Sequence, residues 1–571
     1  MLETLRLLWK PDPIINIFTP DLNRGPAALP SVKQTGGFYR ENPDLISPVV
    51  GCQVSDDVIG ALSVLQVASE LRSGDRSHVT LDVVSLAALQ RLPVPHTDDS
   101  LKHRYRQEEE LYVFPPCSAT VLALYDGRTL VSEVTKGQRC GVILDQTCFY
   151  SEQGGQSHDQ GYFTRDGLQD VLFPVEHVAV AGGYVVHQVT APELLQTGDQ
   201  LHLHLNQGHR LACMVRHTAT HLLNFALKTV LGLSVHQRGS HVSADRLRFD
   251  FTAKGSLSVS QLQQVEKCVN DIVAANQIVY SQEVPLQSAR SIRGLRTVDE
   301  VYPDPVRVVA VAVPVSELLA NGTDRQTSVE LCCGTHLLKT GAIEDLVIVS
   351  ERQMVKGISR IIAVTGQEAT RAREAGQVLS EEVDSLAARL TDSAHCSFDS
   401  AQRFAKEIGV LSDTVDTTPI PQWQRRELQL RLRALQRSSN TAVRKLETRE
   451  AAGNAQALLE KHGRKVLLVD TLDTDSLSVV MKTVNQVSAL APLSFVMLLA
   501  HQRHSGKVLC ACQVPKDANS LPASDWALAV CRQLGGTAGG TAVVAKGTGS
   551  SSDITEALRW AEEFARQKTQ R

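Results

Sequence analysis

His217-Thr218-Ala219-Thr220-His221 and Cys332-Cys333-Gly334-Thr335-His336 are the two runs on which the reading of this chain turns. The first lies in an apolar-periodic stretch, with Leu222, Leu223, Ala226, Leu227 and Val230 at helical spacing. Residues four apart share one face of a helix, so His217 and His221 can reach one ion together. Cys332 and His336 repeat the spacing and add a thiolate and an imidazole. Three imidazoles and one thiolate make a sound zinc shell. Spacing alone is a weak signal: with 18 His in 571 residues, chance supplies about 0.6 such histidine pairs. Two ordinary core or surface histidines on a helix are the competing reading.

Composition narrows the class. A chain of 571 residues implies roughly three or four domains. The formal net charge is −4, so bulk charge announces no nucleic-acid partner, and binding would need local basic stripes. The 12 cysteines include no CxxC pair, which suits a reducing compartment with thiols free or on metal. No apolar run approaches the roughly 18 residues of a membrane span. No N-terminal segment reads as a secretory or transit signal, so the sequon Asn321-Gly322-Thr323 is expected to be idle.

Patterning predicts a multidomain α+β chain. Residues 1–48 hold seven of the 22 prolines, a density that neither helix nor central strand tolerates; 1–80 is read as loop or disorder, with one helix at 55–72. Residues 81–108 read as a linker. From 109 to 206 the period is two, predicting a β-barrel. Ala119–Tyr125, Asp126-Gly127 and Arg128–Val134 read as a hairpin with a type I′ turn. Further strands are expected at 141–145, 171–180, 184–189 and 201–205. Residues 207–366 mix helix and strand around both halves of the candidate zinc site, with a capping box at Ser258 and Gln261. Residues 367–462 read as a helical hairpin or coiled coil split by Pro419 and Pro421. Its second arm, Gln424 to Glu450, carries eight Lys or Arg against three acids. That is either a track for RNA phosphates or a solvated helix face. Residues 463–571 alternate strand and helix, a C-terminal α/β domain. Its Gly535-Gly536-Thr537-Ala538-Gly539-Gly540 run follows a helix and precedes a strand, the reverse of a dinucleotide fingerprint, so it reads as a turn after the helix.

Taken in order, His217–Leu223, Gln237-Arg238-Gly239-Ser240, Leu247-Arg248-Phe249-Asp250-Phe251 and Glu330–His336 resemble the editing domain of alanyl-tRNA synthetases. Free-standing trans-editing proteins share that domain, and threonyl-tRNA synthetases share it in part. The likeness runs from about residue 80 to the C-terminus. It reaches the animal mitochondrial branch through Tyr302–Val308, Pro421–Glu427 and Gly506–Cys512. Phe149-Tyr150-Ser151-Glu152-Gln153-Gly154-Gly155-Gln156 resembles a family loop, for which a tight barrel turn is the alternative. Gly535–Gly540 resembles the Gly-rich loop of the family's C-terminal domain, which engages tRNA; a turn after the helix is the alternative. The family's Cys-Gly-Gly-Thr-His appears here with Cys333 at its first glycine, and family register assigns the metal to Cys332.

The resemblance implies one Zn2+ per chain on His217, His221, Cys332 and His336. It implies editing: hydrolysis of Ser-tRNA(Ala) and Gly-tRNA(Ala), with Thr220, Gln237 and Arg360 at the site. Thr220 would contact the amino acid. Arg360 precedes the family's Glu-Ala-Val-Thr-Gly run, which here reads Ile362-Ala363-Val364-Thr365-Gly366. The implied ligase, charging tRNA(Ala) in mitochondrial translation, uses ATP only in the full-length family enzyme. Its aminoacylation core would precede residue 80, where neither room nor motifs are found. Expected partners are tRNA(Ala) and its mischarged forms, with no membrane, and a homo-oligomer through the C-terminal region is left open. The mitochondrial matrix is the implied location, with the cytoplasm second. The competing function is a non-catalytic tRNA-binding and dimerising module whose editing site has decayed.

Overall fold

The structure is a computed structural model describing residues 79–571, apart from 110, 322–326, 393–397, 504, 519, 551–552 and 570–571. The stretches expected as loop at 1–48 and helix at 55–72, and the Gly322-Thr323 half of the sequon, lie outside the described residues. The chain divides into two compact units, one running to Ala375 and including Pro421–Trp423, the other taking Gly376–Ile420 and Gln424 onward. Among the described residues no helix is long and apolar enough to cross a membrane.

In the first unit a short helix, α1 (Val83–Arg91), precedes a closed six-stranded antiparallel barrel. Its strands are β1 (Cys117–Tyr125), β2 (Arg139–Leu144), β3 (Gly161–Arg165), β4 (Leu168–Ala181), β5 (Tyr184–Thr190) and β6 (Gln200–Leu205). The order is β6-β3-β4-β5-β2-β1, and β6 pairs back onto β1 with Leu201 opposite Ala119. Closure removes both sheet edges. Alternation in β1 sends Cys117, Ala119 and Val121 inward, where they join Phe149, Phe163, Phe173 and Leu201 in one core. The hairpin after β1 departs from expectation. Tyr125 pairs with Leu130, so the loop has four residues rather than two. Asp126 Oδ1 accepts from the Arg128 and Thr129 amides at 2.8 Å each, which closes this longer turn. Arg128–Val134 is also not one strand: Leu130–Val131 pairs with β1, and Glu133–Val134 pairs with Leu195–Gln196. Strand β3 is absent from the sequence reading, because Gly-Tyr-Phe-Thr-Arg offers too few alternations to register as a strand.

The rest of the unit packs two helices, α2 (Gln207–Leu231) and α3 (Val259–Ala274), on one face of a four-stranded sheet. That sheet orders β7 (Gln237–Val242), β8 (Leu247–Thr252), β13 (Ile358–Thr365) and β12 (Leu346–Val355). Leu222, Leu223 and Leu227 of α2 meet Phe249, Phe251 and Ile361 in a core closed to solvent. Truncating either phenylalanine to alanine there costs about 3–5 kcal/mol. The Ser258–Gln261 capping box is present in full. A second sheet of β9 (Val279–Val284), β10 (Val306–Val311) and β11 (Val329–Leu331) ends at the residue before Cys332.

Of the expected hairpin, the described residues form α4 (Gln367–Asp392, which begins in the first unit), α5 (Phe398–Thr417) and α6 (Gln422–His462). Arg425 donates to Val415 O and Thr418 O, and Ser439 Oγ donates to Ala401 O, so α5 and α6 run antiparallel about the proline break. The C-terminal sheet orders β14 (Leu467–Leu472), β15 (Phe495–Gln502), β16 (Lys507–Gln513), β18 (Val544–Gly549) and β17 (Thr537–Gly540), flanked by α7 (Leu477–Leu490), α8 (Ala523–Gln533) and α9 (Ile554–Thr569). Within that sheet β14 and β15 pair in parallel, and the other described pairings are antiparallel. The glycine-rich run is thus an edge strand after a turn at Gly535 (φ +66°), not a turn alone. A Cβ at Gly536 would lie 1.9 Å from Thr548 O, so close strand approach accounts for that glycine.

Candidate metal centre

Helix α2 starts with Asn206 accepting from the His209 amide at 3.1 Å and stops at Gly232, whose φ of +95° a residue with a Cβ rarely adopts. From Met214 to Leu223 the helix is almost wholly buried, so His217 and His221 enter the interior rather than solvent. The second run leaves β11 and turns beneath them. Arg307 Nη1 donates to Cys332 O at 3.2 Å and to Gly334 O at 2.8 Å. Tyr105 donates to His336 O at 2.6 Å and accepts from the His336 amide at 3.2 Å. A Cβ on Gly334 would stand 2.1 Å from the His217 ring, so only glycine lets this backbone pass under the imidazole.

The donor atoms of His217, His221, Cys332 and His336 all lie within 4.8 Å of one another. Cys332 Sγ is 3.4 Å from His217 Nε2 and 3.3 Å from His336 Nε2. The outer nitrogens fix the tautomers. His217 Nδ1 is 2.7 Å from Gln156 Oε1, an acceptor, so Nδ1 carries the proton and Nε2 keeps its lone pair for the centre. Gln156 is itself held: its Oε1 accepts from the Thr335 amide at 3.1 Å, and its Nε2 donates to Thr335 Oγ1 at 2.9 Å. Thr218 Oγ1 donates to Met214 O, accepts from the Leu337 amide, and stands 3.3 Å from His336 Nδ1, which assigns that proton too. His221 Nε2 lies 3.6 Å from Glu330 Oε2, and the carboxylate's other oxygen takes Arg296 Nε at 2.9 Å and Asn224 Nδ2 at 3.0 Å.

Burial pushes all three imidazoles below the ordinary histidine range, His221 to about 3, so they are neutral and able to ligate at any physiological pH. The Cys332 thiol is pushed up, chiefly by burial and then by the neighbouring Cys333. Loading a cation would therefore release its proton. The set fits a borderline-soft divalent ion that takes nitrogen and thiolate. Cys333 is exposed and outside the cluster; its Sγ is 3.9 Å from Tyr150 Oη.

Of the remaining residues expected at the site, Thr220 lies on α2 between the ligands. Its hydroxyl donates to Arg216 O at 2.7 Å, which leaves it able only to accept from a further partner. Gln237 Nε2 donates to Ser240 Oγ at 3.2 Å. Arg360 holds Asp250 through Nε at 2.7 Å and Nη2 at 2.8 Å, on the sheet face opposite the one carrying Phe249 and Ile361. Among the described residues no hydrogen bond or ion pair joins Gln237 or Arg360 to the four-residue cluster. Sequence reasoning passed over Gln156, Tyr105 and Glu330 as orienting residues. It also passed over the buried Arg210–Asp159 pair, in which Arg210 also donates to Lys102 O and Cys148 O and pins the 148–159 loop to α2. The Gly154-Gly155-Gln156 end of that loop was the available signal.

On α6, Arg433, Arg437, Arg444, Lys445 and Arg449 are exposed, and no acidic side chain among the described residues pairs with them. At 100° per residue the first three fall within about 40° of one another around the helix.

Residues 73–209 match the model of the class II (A) tRNA synthetases, and residues 306–362 match that of the threonyl and alanyl tRNA synthetase second additional domain. The mitochondrial alanine–tRNA ligase of Mus musculus is 48% identical over 503 residues, covering 87% of this chain and 51% of the relative. That of Homo sapiens is 50% identical over 491 residues, covering 85% and 50%. The cytoplasmic alanine–tRNA ligase of Bombyx mori is 38% identical over 511 residues, covering 87% and 53%. The chain thus spans about half the length of the curated relatives it matches, and with both family models matched and relatives at this identity, it belongs to the alanyl-tRNA synthetase family.

Proposed function

We propose that this chain is the zinc-bearing editing and tRNA-binding part of a mitochondrial alanine–tRNA ligase, and that it hydrolyses Ser-tRNA(Ala) and Gly-tRNA(Ala). The observation carrying this is the cluster of Cys332 with three histidines, of which His217 and His336 have their protons assigned from outside by Gln156 and Thr218. The chemical need is plain. A ligase pocket sized for alanine cannot shut out glycine and discriminates poorly against serine, so a second, hydrolytic site is required. The aminoacyl ester is already activated; the site must hold water and stabilise the developing oxyanion. Bound by four protein ligands, zinc would supply a fixed positive charge and a closed scaffold rather than an open coordination position.

The chain's own residues do the rest in this reading. Thr220 Oγ1, with its proton committed to Arg216 O, accepts from the serine hydroxyl. Gln237 positions the ester or the water. Arg360 spends Nε and Nη2 on Asp250 and offers Nη1 to the tRNA end. The exposed cations of α6 follow phosphates, and the C-terminal domain supplies much of the remaining tRNA affinity. Relatives named mitochondrial stand at 48–50% identity against 38% for a cytoplasmic one, which supports a mitochondrial location.

Deacylation of Ser-tRNA(Ala) by the purified chain tests the proposal; no rate above the uncatalysed one would leave the non-catalytic tRNA-binding module. The same reading gives this 571-residue chain no aminoacylation core. ATP–pyrophosphate exchange should then show no alanine dependence, and a robust alanine-dependent signal would overturn that part.

A further inference from the structure

We propose that Glu152, His158 and His177 form a second, exchangeable site for a divalent transition-metal ion on the wall of the β-barrel, separate from the cysteine-bearing centre. One donor atom from each lies within 4.8 Å of the others. Two imidazoles and a carboxylate are a recurrent three-ligand set for zinc-like ions that keep a fourth position open. Bonds of about 2.1 Å place tetrahedral ligand atoms about 3.4 Å apart. His158 Nδ1 and Glu152 Oε2 stand 3.8 Å apart, so a small movement of a half-exposed glutamate closes the set.

Two further observations point to a ligand. His158 Nδ1 is buried and has no hydrogen-bond partner, a cost that a bound cation would remove. The His158 and His177 rings meet edge to face at 4.5 Å, which converges their nitrogens instead of stacking the rings out of reach. The backbone is arranged to the same end. The Glu152 amide donates to Val178 O at 3.2 Å, fixing the loop to β4 beside His177. A bulge between Val175 and His177 re-aims that strand's side chains locally. A cleft of about 500 Å³, lined by His158, Gln160, Glu176 and Asn206 among others, opens next to His158 and gives an ion its path and a water its place. An ion here would brace the loop that carries Gln156, the residue holding His217 at the first centre.

The test uses the full chain as purified, with its tightly held ion in place, titrated with Co2+. One further equivalent should bind, with visible d–d absorption and no near-ultraviolet thiolate charge-transfer band. His158→Ala and His177→Ala should each abolish it. Glu152→Gln, at a half-exposed position that cannot threaten the fold, should weaken it by roughly tenfold. The tightly held ion should persist in all three, which separates this proposal from the zinc assignment at Cys332. No additional Co2+ uptake, uptake unchanged in His158→Ala or Glu152→Gln, or a thiolate band on the second equivalent would overturn it.

Discussion

Helices α2 and α6 use polar residues in opposite ways. In α2, fourteen of 25 residues are buried, and His217, Thr218 and His221 among them meet fixed partners at defined distances. In α6, seven of 41 are buried, and most of the cations stand in solvent. Burying a polar group costs several kcal/mol unless a partner is in place, so buried histidines persist only where a second layer has been built around them. Exposed arginines carry no such requirement and are worth little to stability. Changes in α2 should therefore disturb a fixed local geometry, whereas changes in α6 should act, if at all, through long-ranged contacts that salt screens.

The contrast predicts where single changes matter. Cys332→Ala removes the only thiolate in the cluster and should lose the ion from the chain. Because apparent binding energies of structural zinc are on the order of 10 kcal/mol, residues 207–366 should become protease-sensitive. Cys333→Ala should keep the ion. Elemental analysis of both decides it; the reverse result would make Cys333 the ligand. One layer further out, Gln156→Ala leaves all four donors but frees the His217 ring. Metal affinity, read by competition with a chelator, should fall by roughly 10–100-fold. An unchanged affinity would mean that packing around Gly334, not Gln156, orients His217.

On α6 the effect should be smaller and of another kind. Replacing Arg433, Arg437 and Arg444 together by Gln should weaken tRNA binding evenly across sequences. It should flatten the log–log salt dependence by roughly 0.7–0.9 for each phosphate that is no longer neutralised. Folding stability should not move, because these side chains pair with no acid among the described residues. An unaltered slope would return α6 to a solvated face and locate recognition elsewhere in the C-terminal region.

The same division explains what could be read from the chain in advance. The pairing of His217 with His221 was legible because residues four apart on a helix share a face. Cys332 and His336 lie in the loop after β11, and it was the family resemblance, not their spacing, that set them beside the two histidines. Gln156 was not legible, because it lies 61 residues before His217, and only the folded barrel brings it there. The barrel's alternating strands were legible, whereas Gly161–Arg165 and Thr537–Gly540 were missed. Their glycines answer to neighbouring backbone, and a Cβ at Gly161 would sit 2.2 Å from His204 O. The helix formers of α6 were readable as helix, but the chemistry of its cations was not, since charge counts do not say which arginines the fold leaves unpaired.

The smallest predicted effect is the most specific. Thr220 Oγ1 donates to Arg216 O, so only its lone pairs remain for a substrate, and they suit the proton of a serine hydroxyl. Thr220→Val keeps the shape and removes that acceptor. The Arg216 carbonyl keeps its place in the helix, and no ligand is touched, so fold and ion should both survive. A hydrogen bond between neutral partners is worth on the order of 0.5–1.5 kcal/mol. Hydrolysis of Ser-tRNA(Ala) should therefore slow by roughly threefold to tenfold, at about 1.4 kcal/mol per decade. Gly-tRNA(Ala), which lacks a side-chain hydroxyl, should be hydrolysed at nearly the parent rate. Single-turnover deacylation of both substrates reads the difference. Equal losses on the two would mean that Thr220 supports the ester or the water, and that the serine hydroxyl is recognised by another group.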